Sequence, residues 1–314
     1  MRHTTGLQGA PNLETSSGMD YRHVRKSNFI YNLFHPMLHP EYRIVFRKIY
    51  FHRKNIVPAN KPVLIAANHP SAFIDPIFFC IFFNPPVFNM TRGDIFRKPF
   101  FRKMLESMNM FPVFRHRDGY DQRDRNDEVF EFCRKKLKEG VAVNIFVEGE
   151  HHLDKRILTI QKGLARVAFG AYEKDRDDEL QIFPIGCNYF FGDAERDEAK
   201  IIVGDPLFVK DYWELYQQNQ AAAITKLCND IRAALIRICY HIEDKNDDRL
   251  ANQLLLLRRS DNPDTMLPIV HHHADRFFEE KAMLNGLNTL PAGEKEALRS
   301  NVEAYLAALK QSGL

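Results

Sequence analysis

Between residues 61 and 209, short apolar runs alternate with polar breaks and with stretches of helical period. KPVLIAAN (61–68) is apolar through its centre and predicts a buried strand. Pro76 then offers a place for a helix to open. PVFNMT (86–91) and NMFPVFR (109–115) predict two more strands around a helix at about 98–108. RNDEVFEFCRKKLKEG (125–140) puts Val129, Phe132, Cys133 and Leu137 on one stripe, with Gly140 as C-cap. VAVNIFVEGE (141–150) predicts a strand that runs into a loop, and KGLARVAFGAYEK (162–174) a helix. LQIFPIGCNYF (180–190) and KIIVGDPLFV (200–209) complete the set as strands. This rhythm predicts the α/β class, with a mostly parallel central sheet and flanking helices.

The pattern changes on both sides of that core. Residues 1–20 are polar and predict a disordered tail. Residues 21–57 interleave aromatic and basic groups, broken by Pro36 and Pro40, and predict amphipathic helices. The core is expected over 58–210 and a helical extension packed on it over 211–314. Two charged stretches read as surface: a solvated loop at 189–200 and a polar helix start at 271–280.

Charge matters here through its distribution. The net charge is only +3, but residues 43–54 and 92–103 place cations among aromatics. Such stretches suit an anionic membrane face or a phosphorylated substrate. The greasiest run, 76–88, is too short and too Pro-rich to span a bilayer. With no leader-like apolar segment at the N-terminus, a peripheral rather than transmembrane protein is expected. The 5 cysteines are scattered and read as free, buried thiols. Nucleotide-binding glycine loops, metal-ligand spacings and nucleic-acid modules are all absent, so no cofactor, no metal and no nucleic acid is expected.

Two sites carry candidate chemistry. His69 stands where the first strand ends, at the sheet edge that open α/β folds use for ligands. Asp75 follows six residues on, across a turn marked by Pro70 and Pro76. If the two meet, the carboxylate fixes the imidazole tautomer and supports the cation formed when it takes a proton. A core histidine with a helix-capping aspartate is the competing reading. Ser71 is a further candidate, as nucleophile of a hydrolase, though no G-x-S-x-G elbow surrounds it. The second site is NIFVEGEHHLDKR (144–156). There Gly149 could let backbone N–H groups approach an anion, and Glu148 could accept from a substrate hydroxyl or hold a cation. An ordinary charged loop fits the same residues.

With these residues in view, the chain resembles the glycerolipid acyltransferases, the lysophosphatidic acid and glycerol-3-phosphate acyltransferases. NHPSAFID matches that family's first block, with His69 and Asp75; MFPVFR matches the second, ending on Arg115; FVEGEH matches the third, with Glu148 and Gly149; IFPIGCNY matches the fourth at Pro184. Lys162 and Gly163 follow as in the family's Lys-Gly helix. FIDP and His152 bring the pattern nearest to the fungal-type glycerol-3-phosphate acyltransferases. The resemblance implies His69 as general base, Asp75 as its support, and substrate binding by Arg115, Glu148, Gly149, His151, His152 and Arg156. The third block departs from the common form at Val147, Glu150 and His151, which leaves phosphate binding to Arg115, Arg156 and the two histidines.

The partners implied are an acyl thioester of coenzyme A or acyl carrier protein, and glycerol-3-phosphate or a lysolipid acceptor. The implied setting is phospholipid synthesis on the cytoplasmic face of an anionic membrane. Other expectations stay open: another lipid acceptor such as an aminolipid, a lipid thioesterase, or an inactive membrane scaffold. Phe73, Phe78, Phe79, Phe82 and Phe83 either line a groove for the acyl chain or form plain core.

Overall fold

The computed structural model describes residues 45–72, 74–83, 87–96, 98–113, 123–190, 197–261, 263 and 267–312. The expected tail at 1–20 and most of the expected N-terminal helices lie outside them. Among the described residues, nine strands form one sheet: β1 (Phe46–His52), β2 (Val63–Ala67), β3 (Phe88–Arg92), β4 (Met110–Val113), β5 (Val143–Phe146), β6 (Gln181–Tyr189), β7 (Asp197–Val203), β8 (Leu207–Phe208) and β9 (Val270–His271). Their order is β4-β3-β5-β2-β6-β7-β1-β9, with β8 beside β6. Strands β4 to β6 along this path pair in parallel. The β6–β7 seam is antiparallel, and β7, β1 and β9 are again parallel to one another.

The described helices of the α/β part are α1 (Ile74–Phe82), α2 (Pro99–Ser107), α3 (Arg123–Lys138) and α4 (Gly163–Asp175). Strand β2 explains the layering. Val63, Leu64, Ile65, Ala66 and Ala67 are all wholly buried, as a strand covered on both faces must be. Leu64 and Ala66 face one core with α3 and α4, while Val63, Ile65 and Ala67 face another with α1. Phe78, Phe79, Phe82 and Phe83 belong to that second core, so these four are core and not groove; Phe73 lies outside the described residues. The expected C-cap at Gly140 is a turn with φ +70, where a Cβ would stand 2.7 Å from the Asn60 carbonyl carbon.

Pro184 sits inside a central strand, where a missing N–H is normally costly. Its C=O accepts from Gly204 N, so the Pro nitrogen, on the same side, also faces β7 and β8. That is where β6 changes neighbour, from Leu207 opposite Ile182 to Val203 opposite Ile185. The expected single strand at 200–209 is therefore two, with an extra residue bulged at the proline.

Three expectations are corrected. The amphipathic-helix reading of 21–57 fails over 46–52, which is strand β1, and the core therefore begins before residue 58. Phe46, Tyr50 and Phe51 are buried in the sheet and present no face to a membrane. Lys48 is buried too, because its ammonium donates to Pro268 O at 2.7 Å and lies 3.1 Å from His271 Nε2. The solvated loop expected at 189–200 is strand from Asp197 on, with Glu198 and Lys200 almost fully buried. The polar helix start at 271–280 begins only at Asp275, since His271 belongs to β9.

The remainder is helical as expected: α5 (Trp213–Gln218), α6 (Gln220–Ile238), α7 (Asp248–Asp261), α8 (Asp275–Thr289) and α9 (Ala292–Gln311). These helices are keyed to the sheet by buried charge. Glu280 on α8 accepts from Lys200 at 2.6 Å, from Arg259 Nε at 2.7 Å and from the Tyr240 hydroxyl. Arg259 also pairs with Glu198 at 2.9 Å. Burial alone would raise the Glu280 carboxyl, but Arg259 and Lys200 outweigh it and hold it near 2. Removing one partner leaves the others charged and buried, so Glu280→Ala is expected to lower the unfolding free energy by about 3–5 kcal/mol, measured by urea denaturation. Because the folded carboxyl titrates below its ordinary value of 4.5, its contribution is complete above that pH and disappears as pH falls toward 2. Glu280→Gln should flatten this part of the acid stability curve.

Candidate active site

The turn between β2 and α1 folds around the Asp75 carboxylate. Asn68, the last residue before it, extends the sheet with its side chain: its amide donates to Cys187 O at 2.9 Å and accepts from Cys187 N at 2.7 Å. His69 is thus delivered at the C-terminal edge of the sheet. Asp75 lies in the first turn of α1 with no exposed surface. Its Oδ2 accepts from Ser71 N at 2.8 Å and lies 2.8 Å from His69 Nδ1. Its Oδ1 accepts from the Tyr189 hydroxyl at 2.5 Å. A carboxylate only accepts, so the His69 proton sits on Nδ1 and leaves Nε2 with its lone pair. The His69 side chain is 15% exposed and stacks on Phe146, with ring centroids 4.0 Å apart. The spacing of six is bridged by the turn, and the core-histidine reading does not account for a part-exposed ring poised on a buried acid.

Glu148 clamps the second segment to the first. Its Oε2 accepts from His69 N at 3.2 Å, and its Oε1 from Leu158 N at 2.6 Å and His152 Nε2 at 3.1 Å. His152 N in turn donates to His69 O at 3.2 Å. Both backbone polar groups of His69 are therefore held by the 148–158 loop. Glu148 is expected from sequence to contact substrate, but most of its acceptor capacity goes to the chain itself. Burial disfavours the charged form of His152, yet Glu148, with Asp154, outweighs this and raises its pKa above the ordinary value.

The other expected site residues divide. His151 is exposed and its ring is 6.0 Å from that of His69. Gly149 makes a turn at φ +73, and its N–H donates to Phe146 O, so it is not offered to an anion. Arg156 is half-buried, and its Nε is buried without a hydrogen-bond partner among the described residues. Arg115 lies outside the described residues.

Sequence reasoning gave no role to Asn68, Tyr189 or the Ser71 N–H. A polar side chain at the end of each apolar strand was the available signal for the first two. Nor did it connect the loop to the C-terminal helices. Ile242 N donates to Lys155 O at 2.7 Å, Lys155 N to Asp248 at 2.9 Å, and Ile157 N to His241 Nδ1 at 3.0 Å. The Lys155 ammonium is inside this joint, donating to Phe190 O at 2.8 Å, and burial brings it down to about 8.

An apolar cavity of about 480 Å³ opens beside the turn. Ala72, Pro76 and Ile77 form its end next to Asp75, and Ile95, Phe101 and Met104 the other. Its size falls within the roughly 300–1,000 Å³ of small-molecule pockets.

Residues 48–188 match the family model described as Acyltransferase. The chain is 29% identical over 126 residues to Glycerol-3-phosphate O-acyltransferase 2 of Saccharomyces cerevisiae, a match covering 40% of this chain and 17% of that protein. It is 26% identical over 189 residues to the 1-acyl-sn-glycerol-3-phosphate acyltransferase of Bacillus subtilis, covering 58% of this chain and 84% of that one. The crystal structure of the 1-acyl-sn-glycerophosphate (LPA) acyltransferase from Thermotoga maritima superposes with TM-score 0.43 and 14% identity, over 65% of this chain and 80% of that chain.

The clamp gives a direct expectation. Hydrogen bonds to a charged group are worth about 1.5–3 kcal/mol, so Glu148→Gln should speed hydrogen exchange at the His69 and Leu158 amides about ten-fold or more. Unchanged protection at both amides would exclude the clamp. The His152 pairing has the opposite pH sense to that of Glu280: with a raised folded pKa, its stabilisation is full below about pH 6.5 and is lost as pH rises past it. His152→Phe should remove that alkaline loss from the exchange profile of the loop.

Proposed function

We infer that this chain, whose residues 48–188 match the family model described as Acyltransferase, moves a fatty acyl group from a thioester to the hydroxyl of a phosphorylated glycerol. The observation that carries this reading is the His69–Asp75 contact of 2.8 Å, with the acid buried, the imidazole part-exposed and an apolar cavity alongside. His69 Nε2 takes the proton of the acceptor hydroxyl as its oxygen attacks the thioester carbonyl carbon. Asp75 supports the imidazolium. When the tetrahedral intermediate collapses, the C–S bond breaks and the imidazolium proton goes to the leaving thiolate. The hydroxyl attacks directly, so no covalent enzyme intermediate is needed.

The cavity is the natural place for the acyl chain. It is lined by residues of α1 and α2 other than the core phenylalanines, and Met104, Met108 and Met110 make that lining adaptable. The acceptor phosphate is assigned to the loop side, to Arg156 and His151 with Arg115. Arg156 is favoured by an Nε that has no hydrogen-bond partner among the described residues and by the bidentate fit of a guanidinium to phosphate. His152, Glu148 and Gly149 shape that loop. Glycerol-3-phosphate is the preferred acceptor, in keeping with the fungal-type pattern and the yeast relative, and 1-acylglycerol-3-phosphate is the other, after the bacterial one. The donor is an acyl-CoA or an acyl-carrier-protein thioester, and the place of work is the cytoplasmic face of a membrane. Among the described residues, no helix is long and apolar enough to cross one.

General-base loss typically costs 10²–10⁴-fold, so His69→Ala should cut acyl transfer by about that factor, with the fold intact by circular dichroism. Retained transfer would remove the mechanism. Ile77→Trp fills the cavity next to Pro76 and should shift the preferred donor to shorter acyl chains, read from rates across an acyl-CoA series. An unchanged chain-length profile would place the acyl chain elsewhere.

A further inference from the structure

The cavity's outer end coincides with an unusual surface. Phe100 is 74% exposed, Phe101 44%, Met104 39% and Ile95 37%. Large apolar side chains clustered like this mark an interaction site rather than ordinary surface. The exposed charges among them, Lys98, Arg102 and Lys103, are all basic. The nearby Asp94 is half-buried and already paired with Arg92 at 2.6 Å. Helix α2 thus shows solvent a short aromatic face rimmed by cations.

We propose that α2 and the turn before it dock on an anionic bilayer surface, with Phe100 and Phe101 entering the headgroup–acyl boundary and the three cations contacting lipid phosphates. A hydrophobic face flanked by lysines and arginines is what such an interface selects. The proposal rests on the acyl-transfer reading in one respect: Ile95, Lys98, Phe101 and Met104 both belong to this surface and line the cavity. Docking therefore turns the cavity mouth toward the bilayer, so that a fatty chain passes between membrane and site without crossing water. The placement differs from the one expected from sequence: of the two basic–aromatic stretches, the described part of 43–54 lies largely in the sheet, and 92–103 remains available.

The test uses the full chain with vesicles of phosphatidylcholine, with and without phosphatidylglycerol. Phe100→Ser combined with Lys103→Ser changes two exposed residues that do not line the cavity. A single basic residue contributes about five-fold to binding an anionic surface, and a buried aromatic at least as much, so co-sedimentation with the anionic vesicles should fall ten-fold or more. Parent binding should weaken with added salt and on neutral vesicles. Transfer from a short-chain, water-soluble acyl thioester should be unchanged in the variant.

A local probe isolates this surface from any other contact. All five native cysteines are buried, so Phe100→Cys can be labelled with an environment-sensitive dye. The dye should shift to the blue on anionic vesicles. No blue shift, or full binding by the double variant, would overturn the docking surface. So would sedimentation showing that the patch joins two copies of this chain while vesicle binding is unaffected. Failure of parent and variants alike to transfer acyl groups would count against the proposed function, and the vesicle measurements would still decide the surface.

Discussion

A carboxylate with no exposed surface must have donors for the lone pairs it turns inward, and the site is built from that requirement at Asp75. Three groups answer it: the Ser71 amide, the His69 ring and the Tyr189 hydroxyl. The first bends the chain back over itself between β2 and α1. The second fixes the ring and its tautomer. The third comes from β6, so the acid also ties the turn to the neighbouring strand. Tyr189 is stacked in its turn on Phe46 of β1, with ring centroids 5.6 Å apart. The geometry of the pair is thus set by the sheet and not by the loop alone.

The parts of this that could be read from sequence are those decided locally. Val63 to Ala67 reads as a buried strand from its short unbroken apolar run, and the stripe through Val129, Phe132, Cys133 and Leu137 as one face of a helix. His69 and Asp75 stood out because each is polar in an apolar segment. What could not be read depends on partners far along the chain. Lys48 looks like a surface residue until Pro268 and His271 arrive to hold it, 220 and 223 residues later. Glu198 and Lys200 look like a solvated loop until Arg259 and Glu280 neutralise them. In both places the assumption that charge means exposure hides a strand: Lys48 reads as part of a helix and Glu198 as part of a loop.

The buried ions also explain why a helical extension accompanies the α/β core. Arg259 joins Glu280 of α8 to Glu198 of β7, and its guanidinium lies 3.7 Å from the centre of the Phe190 ring. Phe190 O holds Lys155, and Lys155 anchors the loop whose Glu148 grips His69. A continuous chain of contacts therefore runs from α8 to the backbone of His69. The 148–158 loop has little secondary structure of its own, and the extension supplies the partners that a helix or strand would otherwise give it.

Helix α1 joins the two halves of the proposed reaction. Its first turn carries Asp75 toward His69, and the next residues, Pro76 and Ile77, face the cavity. The helix is held in that orientation by polar groups under it: Asn89 donates to Pro76 O at 3.2 Å and accepts from Asn144 at 2.9 Å. These two buried asparagines belong to β3 and β5, adjacent strands of the sheet. A carboxamide there costs desolvation that an apolar residue would not. Its return is register, because only one rotation of α1 presents the Pro76 carbonyl to Asn89. Were α1 to turn about its axis, Asp75 would lose His69 and Ile77 would leave the cavity together. Proton transfer and acyl binding, in the reaction proposed, thus depend on the same few hydrogen bonds.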